Sequence, residues 1–201
     1  MTTTKKHPFD GLIIKGSIAP IGTVRNDIEI KFSNEIIKEY IPEWNKIEAP
    51  KGIKYLALIM AQKEGFFKGS RSHRFNNPGN IGNTDSGANE KYKDLKSGIQ
   101  KQIDFLTGIA TGKNKLYPVG KIKKLKPYYS PEIAKNQKTY QLEPYCPGYE
   151  FIYTGQLDQF IKIYSTGARQ KNTYLSLIVS YFDNLGIKIN EKTTLSELLN
   201  M

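Results

Sequence analysis

KGIKYLALIMAQKEGFFKGSRSHRFNNPGNIG, residues 51–82, changes character at Glu64-Gly65, and that change decides how the chain is read. From Lys51 to Lys63 apolar residues stand at nearly every position. This pattern predicts a helix buried on most sides. Gly65 is the residue type that ends a helix in the left-handed conformation, so Glu64 falls in the last turn, where the chain leaves the core. A carboxylate is disfavoured there, because the helix dipole is negative at its C-terminus. The dipole and the apolar neighbours, Phe66 and Phe67 among them, both favour the protonated acid. A carboxyl kept protonated near neutral pH is what a general acid requires. Taken alone, a Glu at a helix end is ordinarily a surface residue.

Working outward, Ser33 is placed to cap SNEIIKEYIPEWNKI, whose Ile36, Ile37, Tyr40, Ile41 and Trp44 share one helical face; Pro42 is expected to kink or end that helix. Downstream, residues 66–96 are rich in Gly, Asn, Ser and Pro. NIGNT and NEKYKDL flank the turn-forming DSGA, which predicts a small β-hairpin. Ser97 then caps SGIQKQIDFLTGIAT, and further helical patterns follow in GQLDQFIKIYS, NTYLSLIVSYFDNLG and the short TTLSELLN. The fold class expected is therefore α+β, mainly helical. Residues 1–32 read as an arm of turns and short strand, 33–190 as the main domain with 113–155 as a weakly patterned insertion, and 191–201 as a tail.

Thirty Lys and Arg against nineteen Asp and Glu give a formal charge of +11 in 201 residues. Such a balance favours polyanionic partners: nucleic acid, anionic lipid or an anionic cell wall. No helix-turn-helix, zinc or RNA-binding pattern accompanies the charge, so nucleic acid is not the expected partner. The single cysteine, Cys146, excludes an internal disulfide framework and a Cys-rich zinc site. GLII is too short for a signal-peptide core, and no run approaches the roughly 20 apolar residues of a membrane span. The expectation is a protein made in a cytoplasm, without an export signal of its own and without membrane insertion.

EGFFKGSRSHRFNNPGNIG resembles the catalytic core of the lysozyme superfamily, in which a helix-ending Glu leads into a small β-lobe. It is most similar to phage and bacterial lysozyme-like proteins carrying Arg-Asn-Asn-Pro-Gly-Asn-Ile. Here the stretch runs Arg74-Phe75-Asn76-Asn77-Pro78-Gly79-Asn80-Ile81, with Phe75 inserted after the basic residue. Such proteins continue to an aromatic residue, an acidic or small residue and a Gly-Ile helix start, matched by Tyr92, Asp94 and Gly98-Ile99. Farther on, IYSTGARQKNTYLSLIVSYFDNLG keeps the order Tyr, Asn, Thr, Tyr and a helix ending in Leu-Gly, with Thr166-Gly167 where proline is usual. The resemblance covers residues 51–187, except that 113–155 has no counterpart.

The resemblance implies a lysozyme-like domain whose hairpin lobe borders a cleft, and cleavage of peptidoglycan between N-acetylmuramic acid and N-acetylglucosamine. Glu64 would be the general acid. Phe66, Asn80, Ile81, Tyr92, Asn172 and Tyr174 would line the substrate cleft, and neither metal nor cofactor is implied. Hydrolysis would add a second carboxylate. Asp85 is the first candidate for it, with Glu90 and Asp94 as the others, and no motif selects among them. Lytic transglycosylases use one Glu, first as acid and then as base, and the lack of a marked second acid favours that route. The implied context is a phage endolysin, a virion protein that opens the wall, or a wall-remodelling enzyme. The competing reading is a module that keeps the fold and binds walls without turnover. On their own chemistry, Asn76, Asn77 and Asn80 suit amino-sugar groups but also hold tight turns. Tyr92, Tyr164 and Tyr174 suit sugar stacking, while a Tyr in an amphipathic helix also fits a core, as Tyr174 does with Leu175, Leu177, Ile178 and Tyr181. His73 is expected to be a solvated loop residue.

Overall fold

The structure is a computed structural model that describes residues 5–6, 12–14, 24–25, 27–82, 90–124, 149–165 and 168–201. The protein is mainly helical.

The first helix, α1 (34–45), begins where Ser33 Oγ accepts from the Ile36 N–H at 3.2 Å, the cap expected of that serine. It passes through Pro42 instead of ending there. One π-helical turn, Ile36–Tyr40, precedes the proline, with the Ile41 N–H bonded to the Ile36 carbonyl. Proline has no N–H to give and crowds the carbonyl four residues back, so a widened turn ahead of it relieves the clash. Ile36 and Tyr40 are buried, whereas Ile37 is 52% exposed, leaving a narrower apolar face than the sequence suggested.

α2 (Lys51–Lys63) is the central helix, with Ile53, Leu56, Ala57, Leu58, Ile59, Met60 and Ala61 all buried. After it come the single turn α3 (Arg71–Arg74) and the long α4 (Leu95–Ala110). Among the described residues, α5 (Leu157–Tyr164), α6 (Ala168–Asn184) and α7 (Leu195–Leu199) follow. α2 packs against α4, α6 and α7, and α5 against α6. Complete burial of a Leu, Ile or Phe side chain is worth about 1.5–3 kcal/mol, so α2 anchors the domain. Residues 191–201 are part of this core: Leu195 and Leu198 are fully buried. α7 lies so close to α2 that a Cβ on Gly52 would stand 2.4 Å from the Leu198 carbonyl oxygen. Its start is fixed by a capping box between Thr194 and Glu197.

α4 starts before the serine expected to cap it. Asp94 is the N-cap, its Oδ1 accepting from the Ser97 N–H at 2.8 Å, so Ser97 lies inside the first turn.

Four short strands, β1 (Lys5–Lys6), β2 (Leu12–Ile14), β3 (Ile122–Lys124) and β4 (Tyr149–Ile152), form an antiparallel sheet in the order β1-β2-β4-β3. Ile13 pairs with Glu150, and Lys123 with Phe151. The N-terminal arm and the 113–155 segment thus share one sheet. Farther along the arm, the Arg25 and Ile28 N–H groups donate to Ser176 and Ser180 of α6.

Most of the hairpin expected around DSGA, residues 83–89, lies outside the described residues. Its described flanks, 81–82 and 90–92, are not strands. They are joined by a side chain: Asn77 Nδ2 donates to the Ile81 carbonyl at 2.9 Å and the Glu90 carbonyl at 3.0 Å, and its Oδ1 accepts from the Ile81 N–H at 2.9 Å. An asparagine amide that meets backbone groups in this way takes the place of a backbone ladder.

Candidate active site

The end of α2 is built as a Schellman turn. Gly65 has φ +76, its N–H donates to the Gln62 carbonyl at 3.2 Å, and the Phe66 N–H donates to the Ala61 carbonyl at 3.1 Å. This turn holds Glu64 at the helix C-cap and sends Phe66 back into the core, where it is 2% exposed and meets Tyr40 and His73 edge-on or tilted. Phe67 points the other way and is 55% exposed.

The Glu64 carboxyl is half-buried and gripped from two sides. Its Oε1 accepts from the Tyr174 hydroxyl at 2.9 Å, and its Oε2 from Asn80 Nδ2 at 3.0 Å. Burial raises its pKa above the usual glutamate value, against the opposing pull of the Asn80 and Tyr174 hydrogen bonds and the Lys63 charge. Desolvation therefore outweighs two donors and a cation. Two of the roughly four lone-pair sites of the carboxyl are used, which leaves capacity for a proton to exchange with a bound group.

Asn80 reaches Glu64 because the 76–81 segment is a tight double turn. Asn76 and Asn80 both adopt left-handed backbone, at φ 51 and 47, a conformation asparagine tolerates better than most residues. The turn is seated on α4 at Gly98, where a Cβ would stand 1.7 Å from the Asn76 carbonyl oxygen, and on Gln102, which lies under Gly79. Gln102 itself bridges the Tyr40 hydroxyl and the Ala57 carbonyl. From α5, the Tyr164 hydroxyl donates to the Gly79 carbonyl. The turn that carries Asn80 is thus held by α4 and α5, and Asn80 begins no strand.

A cavity of about 300 Å³ opens beside the carboxyl, lined by Glu64, Gly65, Phe67, Ser70, Arg71, Ser72 and Asn80. Glu64 and Asn80 were expected there. Phe66 was expected and is core, displaced by the outward-facing Phe67. Helix-closing Gly65 carried the signal for this exchange, because the residue after such a glycine packs against the last helical turn. Ser70, Arg71 and Ser72 were missed. Ser70 caps α3 and Ser72 is buried, its hydroxyl donating to the Gly65 carbonyl at 3.0 Å, so this wall is tied directly to the turn that carries Glu64.

The remaining expected residues divide as follows. Tyr174 is at the site, but with its ring in the core and only its hydroxyl on the carboxyl, so it offers no face for sugar stacking. Tyr164 packs against Phe160 and Tyr174 and likewise supports the site from behind. Ile81 is buried and fixed by Asn77, away from the cavity lining. Tyr92 lines a different concavity, with Lys96, Ser97, Gln100, Lys101 and Asp104, and its hydroxyl donates to Glu90. Asn172 lies on α6, but its side chain falls outside the described residues, as does Asp85. His73 pairs with Glu39 at 3.1 Å.

Among the described residues lining the cavity, Glu64 is the one acid. Asp94 is engaged as the cap of α4, and its hydrogen bond to Ser97 holds its pKa low. Glu90 takes the Tyr92 hydroxyl. No cluster of three His, Cys, Asp or Glu is placed to hold a metal ion, and no helix is long and apolar enough to cross a membrane, among the described residues. The arrangement is a carboxyl biased toward its protonated form, facing an open cavity and braced by two donors that would steady the anion once the proton is given up. Comparison with protein-family models, with curated proteins and with solved structures finds no match to this chain.

Proposed function

We propose that this protein cleaves the glycan strands of bacterial peptidoglycan, in a lysozyme-like domain, with Glu64 as the proton donor. The observation that carries the reading is the state of that carboxyl: raised in pKa by burial, yet open to a cavity lined by an aromatic ring, hydroxyls and an amide. Glu64 protonates the glycosidic oxygen as the bond to the anomeric carbon breaks, and the resulting carboxylate is stabilised by Tyr174 and Asn80. With no second acid among the described lining residues, the route favoured is the lytic transglycosylase one. The same carboxylate then takes the proton from the muramyl 6-hydroxyl as that oxygen closes on the anomeric carbon, leaving a 1,6-anhydro end. The surplus of basic residues aids retention on an anionic wall, an attraction that salt weakens.

One observation favours a second reading, a wall-binding module without turnover. Tyr174 and Asn80 meet both oxygens of Glu64, and such a pair of bonds also serves as a structural tie between α2, α6 and the 76–81 turn. Turbidity of purified cell walls separates the two. Under the enzyme reading the unmodified protein clears the suspension, while Glu64→Gln binds the walls and does not. A protein that binds walls and never clears them is the module.

A further inference from the structure

The described residues expose eight large apolar side chains, and four of them, Leu116, Val119, Ile122 and Ile152, stand on residues 116–122 and the strand paired with them. Ile122 and Ile152 are direct partners across β3 and β4, so their side chains share one face of the sheet. Tyr153, the next residue along, turns the other way and is fully buried. The pairing continues past the strands: the Tyr153 N–H donates to the Lys121 carbonyl at 3.1 Å, and the Gly120 N–H to the Tyr153 carbonyl at 2.8 Å. Val119 follows at the end of this ladder, its Cγ2 3.9 Å from where a Cβ on Gly155 would be. Leu116 precedes it, its N–H bonded to Asn114 Oδ1 at 2.9 Å. Tyr117, between Leu116 and Val119, is buried against Phe105, Tyr153 and Phe160, so a well-seated turn holds the aliphatic side chains in water. The charge around them has one sign. From residue 105 to residue 131 the sequence contains six lysines and no Asp or Glu, and Lys113, Lys115 and Lys121 are exposed among the aliphatic positions. The strand pairing sets one acid, Glu150, opposite Lys124.

We propose that this face docks the protein on the surface of an anionic lipid bilayer, with Leu116, Val119, Ile122 and Ile152 entering the headgroup layer and the neighbouring lysines meeting the lipid phosphates. Docking of this kind needs no membrane-spanning helix: apolar area leaves water at the interface, and each lysine near an anionic surface adds to the attraction. The two halves of the surface together select the partner. A nucleic acid or an anionic wall polymer would engage the lysines and leave the aliphatic side chains in water. Sugars and bases are gripped by aromatic faces, which Leu, Val and Ile lack. A second copy of the chain would set the same lysines against one another, and like charges across an interface repel. A bilayer with anionic headgroups satisfies both halves at once.

The test is co-sedimentation of the full chain with two kinds of vesicle, phosphatidylcholine alone and phosphatidylcholine mixed with phosphatidylglycerol. The native protein partitions onto the mixed vesicles and not onto phosphatidylcholine alone, and salt weakens the binding. Leu116 and Ile122 are the most exposed of the four, at 68% and 64%. Replacing both, Leu116→Ser with Ile122→Ser, lowers the partition onto mixed vesicles by roughly tenfold or more. Replacing the three exposed lysines, Lys113→Gln with Lys115→Gln and Lys121→Gln, lowers it by a similar factor. The melting temperature stays near the native value in both variants, because neither set removes a buried group. No binding to mixed vesicles, equal binding to both kinds, or binding that the serine variant retains in full overturns the inference, the last because charge alone would then be acting. Two further results also overturn it. Attachment to lipid-free cell walls that the serine variant loses, without vesicle binding by the native protein, makes the surface a wall contact. A native dimer that the serine variant dissolves, again without vesicle binding, makes it a contact between copies. Vesicle binding is measured without reference to glycan cleavage, so either conclusion can fail alone.

Discussion

The hydroxyl of Tyr174 donates to a carboxylate oxygen of Glu64 at 2.9 Å, across 110 positions of sequence. The bond favours the charged form of the acid and so opposes the burial that raises its pKa. Since the protonated form is the active one, activity falls as pH rises through the Glu64 pKa, and burial moves that fall upward from the usual glutamate value. Tyr174→Phe removes one donor to the anion, which raises the pKa further. The descending limb of kcat/KM against pH therefore moves to higher pH in this variant, with a stability loss of about 1 kcal/mol because the ring still packs. A limb that stays in place or moves to lower pH contradicts the assignment.

The same shift has a consequence for stability. A glutamate whose pKa is raised on folding contributes stability that is fully present below its unfolded pKa and is lost as pH rises through the folded value. Gln at this position does not titrate. The melting temperature of Glu64→Gln relative to the native protein should therefore climb across that interval, from the ordinary glutamate pKa upward through the raised one, and level off above it. Calorimetry across that range checks the slope, and a flat difference shows that Glu64 is not shifted.

Asn77 is 2% exposed and holds the Ile81 N–H together with the Ile81 and Glu90 carbonyls. Asn77→Ala strips three backbone groups of their partner at once. Each buried group left unpaired costs about 1–3 kcal/mol, less where water enters, so we expect a loss of about 2–4 kcal/mol in denaturant unfolding. The variant also loosens the segment that delivers Asn80 to Glu64, so activity falls with stability.

Asp94 separates a capping role from a catalytic one. Asparagine caps helices as well as aspartate does, so Asp94→Asn should leave both stability and wall clearance near the native level, whereas Asp94→Ala costs about 1 kcal/mol. Abolition of activity by Asp94→Asn, with the fold intact, would identify Asp94 as the missing second carboxylate.

α2 and its end were legible because the information is local: an unbroken apolar run and one helix-closing glycine fix where the helix lies and where Glu64 emerges. The face of the site supplied from elsewhere was legible only as residue types. Tyr174 could be picked out by resemblance, but whether its ring or its hydroxyl meets the site depends on how α6 sits against α2. The exchange of Phe66 for Phe67 was readable from the geometry of a Schellman turn, while Arg71 had no signal, since an arginine in a polar loop resembles any solvated one. The sheet was hidden for another reason. Strands of two to four residues that pair Leu12–Ile14 with 149–151 depend on contacts far apart in sequence, and no run that short has a period to detect. The hairpin expectation failed on its described flanks because Asn77 competes for the backbone groups a ladder would use.

The central claim is that Glu64 transfers a proton to a glycosidic oxygen of peptidoglycan. Mass analysis of purified peptidoglycan digested by the native protein and by Glu64→Gln tests it most directly. The account predicts soluble muropeptides with 1,6-anhydromuramyl ends from the native protein and none from the variant. Intact peptidoglycan after treatment with the native protein, or the same fragments released by Glu64→Gln, would contradict it.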